Sequence, residues 1–312
     1  MSSRSTRNTL LAVGAAVGVV AGVLRLVAAS LSLDDFLSFP VDTWLKVASG
    51  FDVLSWVFVT VAFGTALVGF LLGSQRARTT VLAVSAGLFA GYGVSLLADA
   101  LIELVQQWGF SGLPWTFRAS GCAEAAAGLS VALAGALVAI GLLSSRPEGL
   151  LGWGSIGLAG HFGLLAAAYS FALAEVLTFS FGALPGEISW GLGTHAGGQF
   201  LAAAGAAVAA VAFFVSNGRR KRGEPWHAQR EGSLGIAAIV FTVGFLVGAV
   251  GLMLLASHTG GGGRRVAEAW LQAVAELLFA GVATCGAVGF FLSRRGLEER
   301  DGPDTTALAD PG

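Results

Sequence analysis

Eight apolar stretches, each about 20 residues or longer, take up nearly all of this chain and leave only short polar segments between them. A helix of that length crosses the hydrocarbon core of a bilayer. Inside that core the backbone has to satisfy its own polar groups, so each stretch is read as a spanning helix. The spans fall at 10–33, 51–73, 81–105, 119–143, 153–181, 196–215, 234–256 and 270–292. The predicted fold class is therefore all-α, a polytopic membrane bundle of eight transmembrane helices. Its parts read as an N-terminal segment 1–9, a transmembrane domain 10–293 and a polar, disordered tail 294–312. Charged residues make up 12% of the chain, about half the share of a soluble domain. No connection is long enough for a soluble catalytic or binding domain, so any chemistry has to lie within or at the edge of a bilayer.

Positive charge alternates from one connection to the next. One set carries Arg4, Arg7, Arg76, Arg78, Arg146, the run Arg219, Arg220, Lys221 and Arg222, Arg230, Arg294, Arg295 and Arg300; the other carries Lys46, Arg118, Arg264 and Arg265. Lys and Arg collect on the cytoplasmic side. Both termini are therefore expected in the cytoplasm, with the chain a multi-pass protein of a bacterial-type cytoplasmic membrane. Trp44, Trp56, Trp108, Trp115, Trp190 and Trp270 fall at outer ends of spans, and Trp153 and Trp226 at inner ends. Headgroup level suits a ring that is apolar at one side and wet at the other. The first span shares features with a secretory signal, with Arg4 and Arg7 ahead of it and Val27-Ala28-Ala29 as a small-residue site. Its opening, Thr9-Leu10-Leu11-Ala12-Val13, parallels Thr80-Val81-Leu82-Ala83-Val84 at the third span, and Arg25 sits poorly beside a cleavage site, so the span is read as retained. Cys122 and Cys285 lie at depths about 20 Å apart and form no disulfide.

The even-numbered spans end alike, in Phe70-Leu71-Leu72-Gly73-Ser74, Ile140-Gly141-Leu142-Leu143-Ser144, Ala212-Phe213-Phe214-Val215-Ser216 and Gly289-Phe290-Phe291-Leu292-Ser293, each soon followed by Arg. Two odd spans open alike, in Glu148-Gly149-Leu150-Leu151-Gly152 and Glu231-Gly232-Ser233-Leu234-Gly235. These echoes predict four tandem helical hairpins in one orientation. Gly14, Gly18 and Gly22 recur at a spacing of four, as do Gly69 and Gly73, Gly87 and Gly91, and Gly244 and Gly248. Such stripes let helix backbones approach closely where no hydrophobic drive exists.

Ionisable residues gather in the outer third. Counted back from the closing Ser145, Ser216 and Ser293, Glu124, His195 and Gln272 share one depth, and Gly128, Gln199 and Glu276 share another one turn away; span two has Val53 and Val57 there. A spacing of four puts both positions on one helix face. Arg25, Asp99, Glu103 and Glu175 join them at a similar level. Charged groups in a bilayer cost a few kcal/mol each, so they face the bundle interior, pair, or line a wet cavity. The candidate vestibule or ion-binding set is Arg25, Asp99, Glu103, Glu124, Glu175, His195, Gln199 and Glu276, with Arg25 as counter-ion to Asp99 or Glu124. Arg219, Arg220, Lys221 and Arg222 are candidates for contact with anionic lipid in the inner leaflet. His161 stands alone at its depth, which suits a hydrogen bond to a neighbouring helix better than a haem. No zinc motif, metal site or cofactor signature is present, and Gly260-Gly261-Gly262-Gly263-Arg264-Arg265 lacks the Lys-Ser/Thr of a phosphate loop.

The expected function is transport of a small solute or ion, proton-coupled or not, through an acidic outer vestibule. The alternative is a non-catalytic scaffold or accessory subunit of a membrane complex. An intramembrane enzyme ranks below both: Cys122 and His195 could meet as nucleophile and base, but no Gly-x-Ser-x-Gly or paired Asp-rich motif accompanies them, and Asp34-Asp35 stands alone. The expected partners are the bilayer, a small cation or solute, and a second copy or another membrane protein. Nucleic acid is not among them.

Overall fold

A computed structural model of the protein describes residues 3–38, 43–109, 112–145, 147–179, 186–222, 227–258 and 263–301. Arg146, Trp226, the Gly260–Gly262 run and residues 302–312 lie outside the described residues, as do the side chains of Arg4, Asp35 and Arg300. The described chain is entirely helical: α1 (Ser3–Ser38), α2 (Thr43–Leu71), α3 (Gln75–Gly109), α4 (Trp115–Leu143), α5 (Pro147–Phe179), α6 (Gly186–Lys221), α7 (His227–His258) and α8 (Gly263–Asp301). All eight are long and apolar enough to cross a membrane. The helices run past the apolar stretches at most ends, so α8 continues to Asp301, into the segment read as tail. Two prolines sit where the helix loses no backbone donor: Pro114 caps α4 and Pro147 opens α5.

The helices form a closed ring. Each packs along its two neighbours in sequence, and α1 packs along α8 to complete the circle; among the described residues no other pair of helix backbones comes together. Arg7 near the start of α1 reaches Ser293 near the end of α8 at 3.3 Å, so the two ends of the chain share one end of the ring, called here the termini end. The opposite end is the far end. Since every helix is packed on both sides, no seam separates one predicted hairpin from the next.

Small residues set how closely neighbours approach. A Cβ on Gly198 of α6 would stand 2.5 Å from the Gly248 backbone nitrogen on α7, and one on Gly128 of α4 would stand 2.6 Å from that of Leu97 on α3. Both crossings are backbone on backbone, the contact that substitutes for hydrophobic drive in lipid. Of the stripes read from spacing, Gly14 faces Cys285 on α8 and Gly22 faces Thr60 on α2, while Gly73 and Gly87 face open space. Gly93, Gly128, Gly198 and Gly251, which no stripe included, make tighter contacts than most that did. Spacing alone does not say which face of a helix meets a backbone.

Aromatic rings fill the middle of the circle. Phe63 of α2 meets Phe279 of α8 at 6.0 Å, and Phe162 of α5 meets Phe241 and Phe245 of α7 at 5.7 and 6.0 Å. These helices are not neighbours, so the side chains cross the interior. Phe89 against Phe63 and Phe245 against Phe279 continue the cluster. His161 joins it through Phe162 and Tyr92, and its Nδ1 bonds the Ala127 carbonyl at 3.0 Å, the neighbouring-helix bond expected for it. These rings form an apolar cluster, the plug, across the interior near mid-depth.

Candidate functional site

Above the plug, toward the far end, lies the polar centre of the ring. Arg25 of α1 donates from Nη2 to Glu276 Oε1 of α8 at 2.6 Å, about 20 Å along α8 from its far-end start. Only 14% of the Arg25 side chain and 5% of the Glu276 side chain are exposed, so the pair is held away from solvent. The guanidinium also lies 5.0 Å from the centre of the Trp56 ring, a cation–π contact that gains strength when desolvated. Trp56 in turn shares a side-chain hydrogen bond with Asp52, one turn earlier on α2. Three helices thus converge on one arginine.

His195 of α6 completes the group. Its Nδ1 bonds the Gly248 carbonyl of α7 at 3.1 Å, and Gln199 Nε2 lies 3.4 Å from its Nε2. A carbonyl only accepts and an amide nitrogen only donates, so a neutral imidazole with its proton on Nδ1 satisfies both contacts. Tyr169 meets the ring edge-on at 4.4 Å. A Cβ on Gly248 would stand 3.5 Å from His195 Nδ1 and 3.9 Å from Glu276 Oε2, so this glycine lies between the histidine and the acid. Three buried atoms here have no hydrogen-bond partner: Arg25 Nε, Glu276 Oε2 and Gln199 Oε1. Two of them are acceptors on residues only 4% and 6% exposed. Buried acceptors without donors are costly, and Glu231 Oε2 near the termini end is a third acceptor of this kind.

The other sequence candidates are placed apart. Glu124 of α4 accepts from Ser120 at 3.2 Å, and Glu175 of α5 accepts from Thr116 of α4 at 2.6 Å. The first bond stays within α4, and only the second joins neighbouring helices. Glu103 lines a groove of about 610 Å³ with Leu45, Gln106, Gln107 and Phe117, while Asp99 is half-buried one turn deeper on α3. The eight candidates therefore resolve into a core of four, Arg25, His195, Gln199 and Glu276, and an acidic surround. Cys122 is exposed on α4, and His195 has both nitrogens engaged by Gly248 and Gln199. Among the described residues no three His, Cys, Asp or Glu side chains are arranged to hold a metal ion.

Sequence reasoning missed Asp52, Trp56, Tyr92 and Tyr169. Counting back from Ser74 landed on Val53 and Val57, one residue past the pair that faces Arg25. The chain has two tyrosines in all, and both stand in the interior beside a histidine, a signal that composition carried and spacing did not.

At the termini end the carboxylates are matched. Glu148, opening α5, takes Arg220 Nη1 at 2.8 Å, and Glu231, opening α7, has Arg230 at 3.1 Å and Arg7 of α1 at 3.8 Å. Of the four basic residues assigned to lipid, Arg220 is thus committed to Glu148, and Lys221 and Arg222 are exposed. Arg219 lines a small niche between α6 and α7.

No protein-family model, curated protein or solved structure matches the chain.

Proposed function

We propose that the protein moves a small cation or a proton across a membrane, with Glu276 at the centre of the path. One observation carries the reading: a carboxylate enclosed in a membrane ring, one oxygen held by Arg25 and the other without a hydrogen-bond donor. Intramembrane charges that are paired and enclosed mark ion and proton pathways. Asp52, Asp99, Glu103 and Glu124 outnumber Arg25 toward the far end, which favours a positive solute. The charge alternation along the chain supports termini in the cytoplasm and a far end facing out, in a cytoplasmic membrane.

The phenylalanine plug supports the second reading, a non-catalytic membrane scaffold or accessory subunit, because apolar rings reach across the interior where a polar path would run. Flux assays in proteoliposomes separate the two. Under the transport reading the wild type moves protons or a monovalent cation, Glu276→Gln slows this at least tenfold, and Phe63→Ala raises passive leak. A folded wild type that moves none of a panel of cations, and a leak-free Phe63→Ala, overturns transport in favour of the scaffold.

A further inference from the structure

The niche between the end of α6 and the start of α7 is a second site, on the outside of the ring at the termini end. It encloses about 120 Å³, room for one phosphate-sized group. Its polar wall is Arg219 and Ser216 from α6 with Arg230 and Ser233 from α7; its other wall is Val211 and Val215. Those two valines are 61% and 43% exposed on the outer surface of α6. The niche therefore runs from a cationic head into an apolar strip.

Ser216 makes the niche more than a basic patch. It is 2% exposed, and its Oγ is buried with no hydrogen-bond partner. A hydroxyl in a helix usually bonds back to the carbonyl four residues earlier, as Thr242 and Thr284 do here. Ser216 forgoes that bond and lines the cavity instead. The first turn of α7 adds backbone amides and the positive end of a helix dipole beside it. The Arg219 guanidinium, two hydroxyls and a helix start, with Arg230 beside them shared with Glu231, form a set of donors for which the complementary partner is a phosphate.

We infer that this niche binds a phosphate group, supplied by the headgroup of an anionic phospholipid whose acyl chain lies along Val211 and Val215. The shared chemistry is phosphate; the apolar strip is what selects lipid over free ion. This site stands apart from Glu276 and does not rest on transport.

The test uses the full-length protein in zwitterionic detergent, with thermal unfolding read against added phosphatidylglycerol, phosphatidylcholine or inorganic phosphate. Phosphatidylglycerol is expected to raise the midpoint of the wild type by several degrees. Arg219→Gln and Ser216→Ala lose at least half of that shift, while Lys221→Gln, which removes the same charge from an exposed neighbour, keeps it. A matching shift from inorganic phosphate alone keeps the phosphate site and assigns it to the free ion. Equal loss in Lys221→Gln and Arg219→Gln, or full retention in Ser216→Ala, overturns the niche and leaves only diffuse charge attraction. Should Ser216→Ala fold poorly, native mass spectrometry of Arg219→Gln beside Lys221→Gln decides: equal retention of copurified phosphatidylglycerol overturns the site.

Discussion

The two ends of the ring treat buried carboxylates in opposite ways. At the termini end Glu148 and Glu231 each meet arginine, and their arginines lie partly in solvent, with the Arg220 side chain 44% exposed and that of Arg7 29%. Toward the far end a single arginine, 14% exposed, serves Glu276 with Asp52 close by; one oxygen of Glu276 has no hydrogen-bond partner, and the same is true of Glu231 Oε2 at the termini end. A charge whose partner can still hydrate is a clasp that holds helices in register. A charge pair sealed in a ring has no solvent to fall back on when either partner is removed. The difference lies in solvent access to the cation rather than in the acid.

That contrast is open to direct test, and the largest effect belongs to Arg25. Arg25→Gln strands Glu276 as an uncompensated buried charge, which costs about 3 to 5 kcal/mol. Adding Glu276→Gln removes the stranded charge, so the double variant is expected to unfold within about 1 kcal/mol of wild type. Thermal or denaturant unfolding in detergent reads both; a double variant as weak as Arg25→Gln alone would mean that shape, not charge, holds the far half together.

The next effect is steric. Gly198→Ala drives a Cβ into the Gly248 backbone of α7 and parts His195 from its carbonyl, at a cost of about 1 to 3 kcal/mol. Gly149→Ala at the termini end meets only the Asn217 amide at 3.7 Å and is expected to be neutral or slightly stabilising. Equal midpoints for the two variants would mean that backbone contact at these glycines does not set the cost.

Smaller still is the clasp itself. Glu148→Gln leaves Arg220 free to hydrate, and the expected loss is about 1 kcal/mol or less. A loss as large as that of Arg25→Gln would make the two ends equivalent. The smallest effect is Ser85→Ala, which removes the 2.8 Å bond from Oγ to the Ala62 carbonyl between α3 and α2. Interhelical bonds of this kind average about 0.6 kcal/mol in membranes, and a matching shift in the unfolding midpoint checks it.

Much of this architecture was legible in the residue string, because a bilayer imposes a length and a polarity that any spanning helix has to meet. Eight spans could be drawn from apolar run length alone, and the cost of an isolated charge in lipid said that Arg25 would pair, but its partner is Glu276 and not the Asp99 or Glu124 expected. Closure of the ring was not legible. Nothing in the sequence of α1 or α8 states that Gly14 will face Cys285, since the contact joins residues far apart in the chain through faces that look like any other small-residue face. The partners of Arg25 on α2 were missed for a related reason. The repeat register slips by one residue there, and one residue on a helix turns a side chain by about 100°. Glu124 and Glu175 were grouped with the core because depth can be counted along a sequence, whereas direction around a ring cannot.

Closure has a consequence for the order of the chain. In an open bundle the first and last helices have a free flank, and the order of elements decides where those flanks lie. In this protein every flank is occupied, and the start of α1 stands beside the end of α8. The arrangement is cyclic in everything but its covalent bonds. A circular permutant that joins the native ends by a flexible linker and begins instead at Gln75, after the short α2–α3 connection, keeps every neighbour of every helix. It is expected to insert and fold into the same ring, with Arg25 still opposite Glu276.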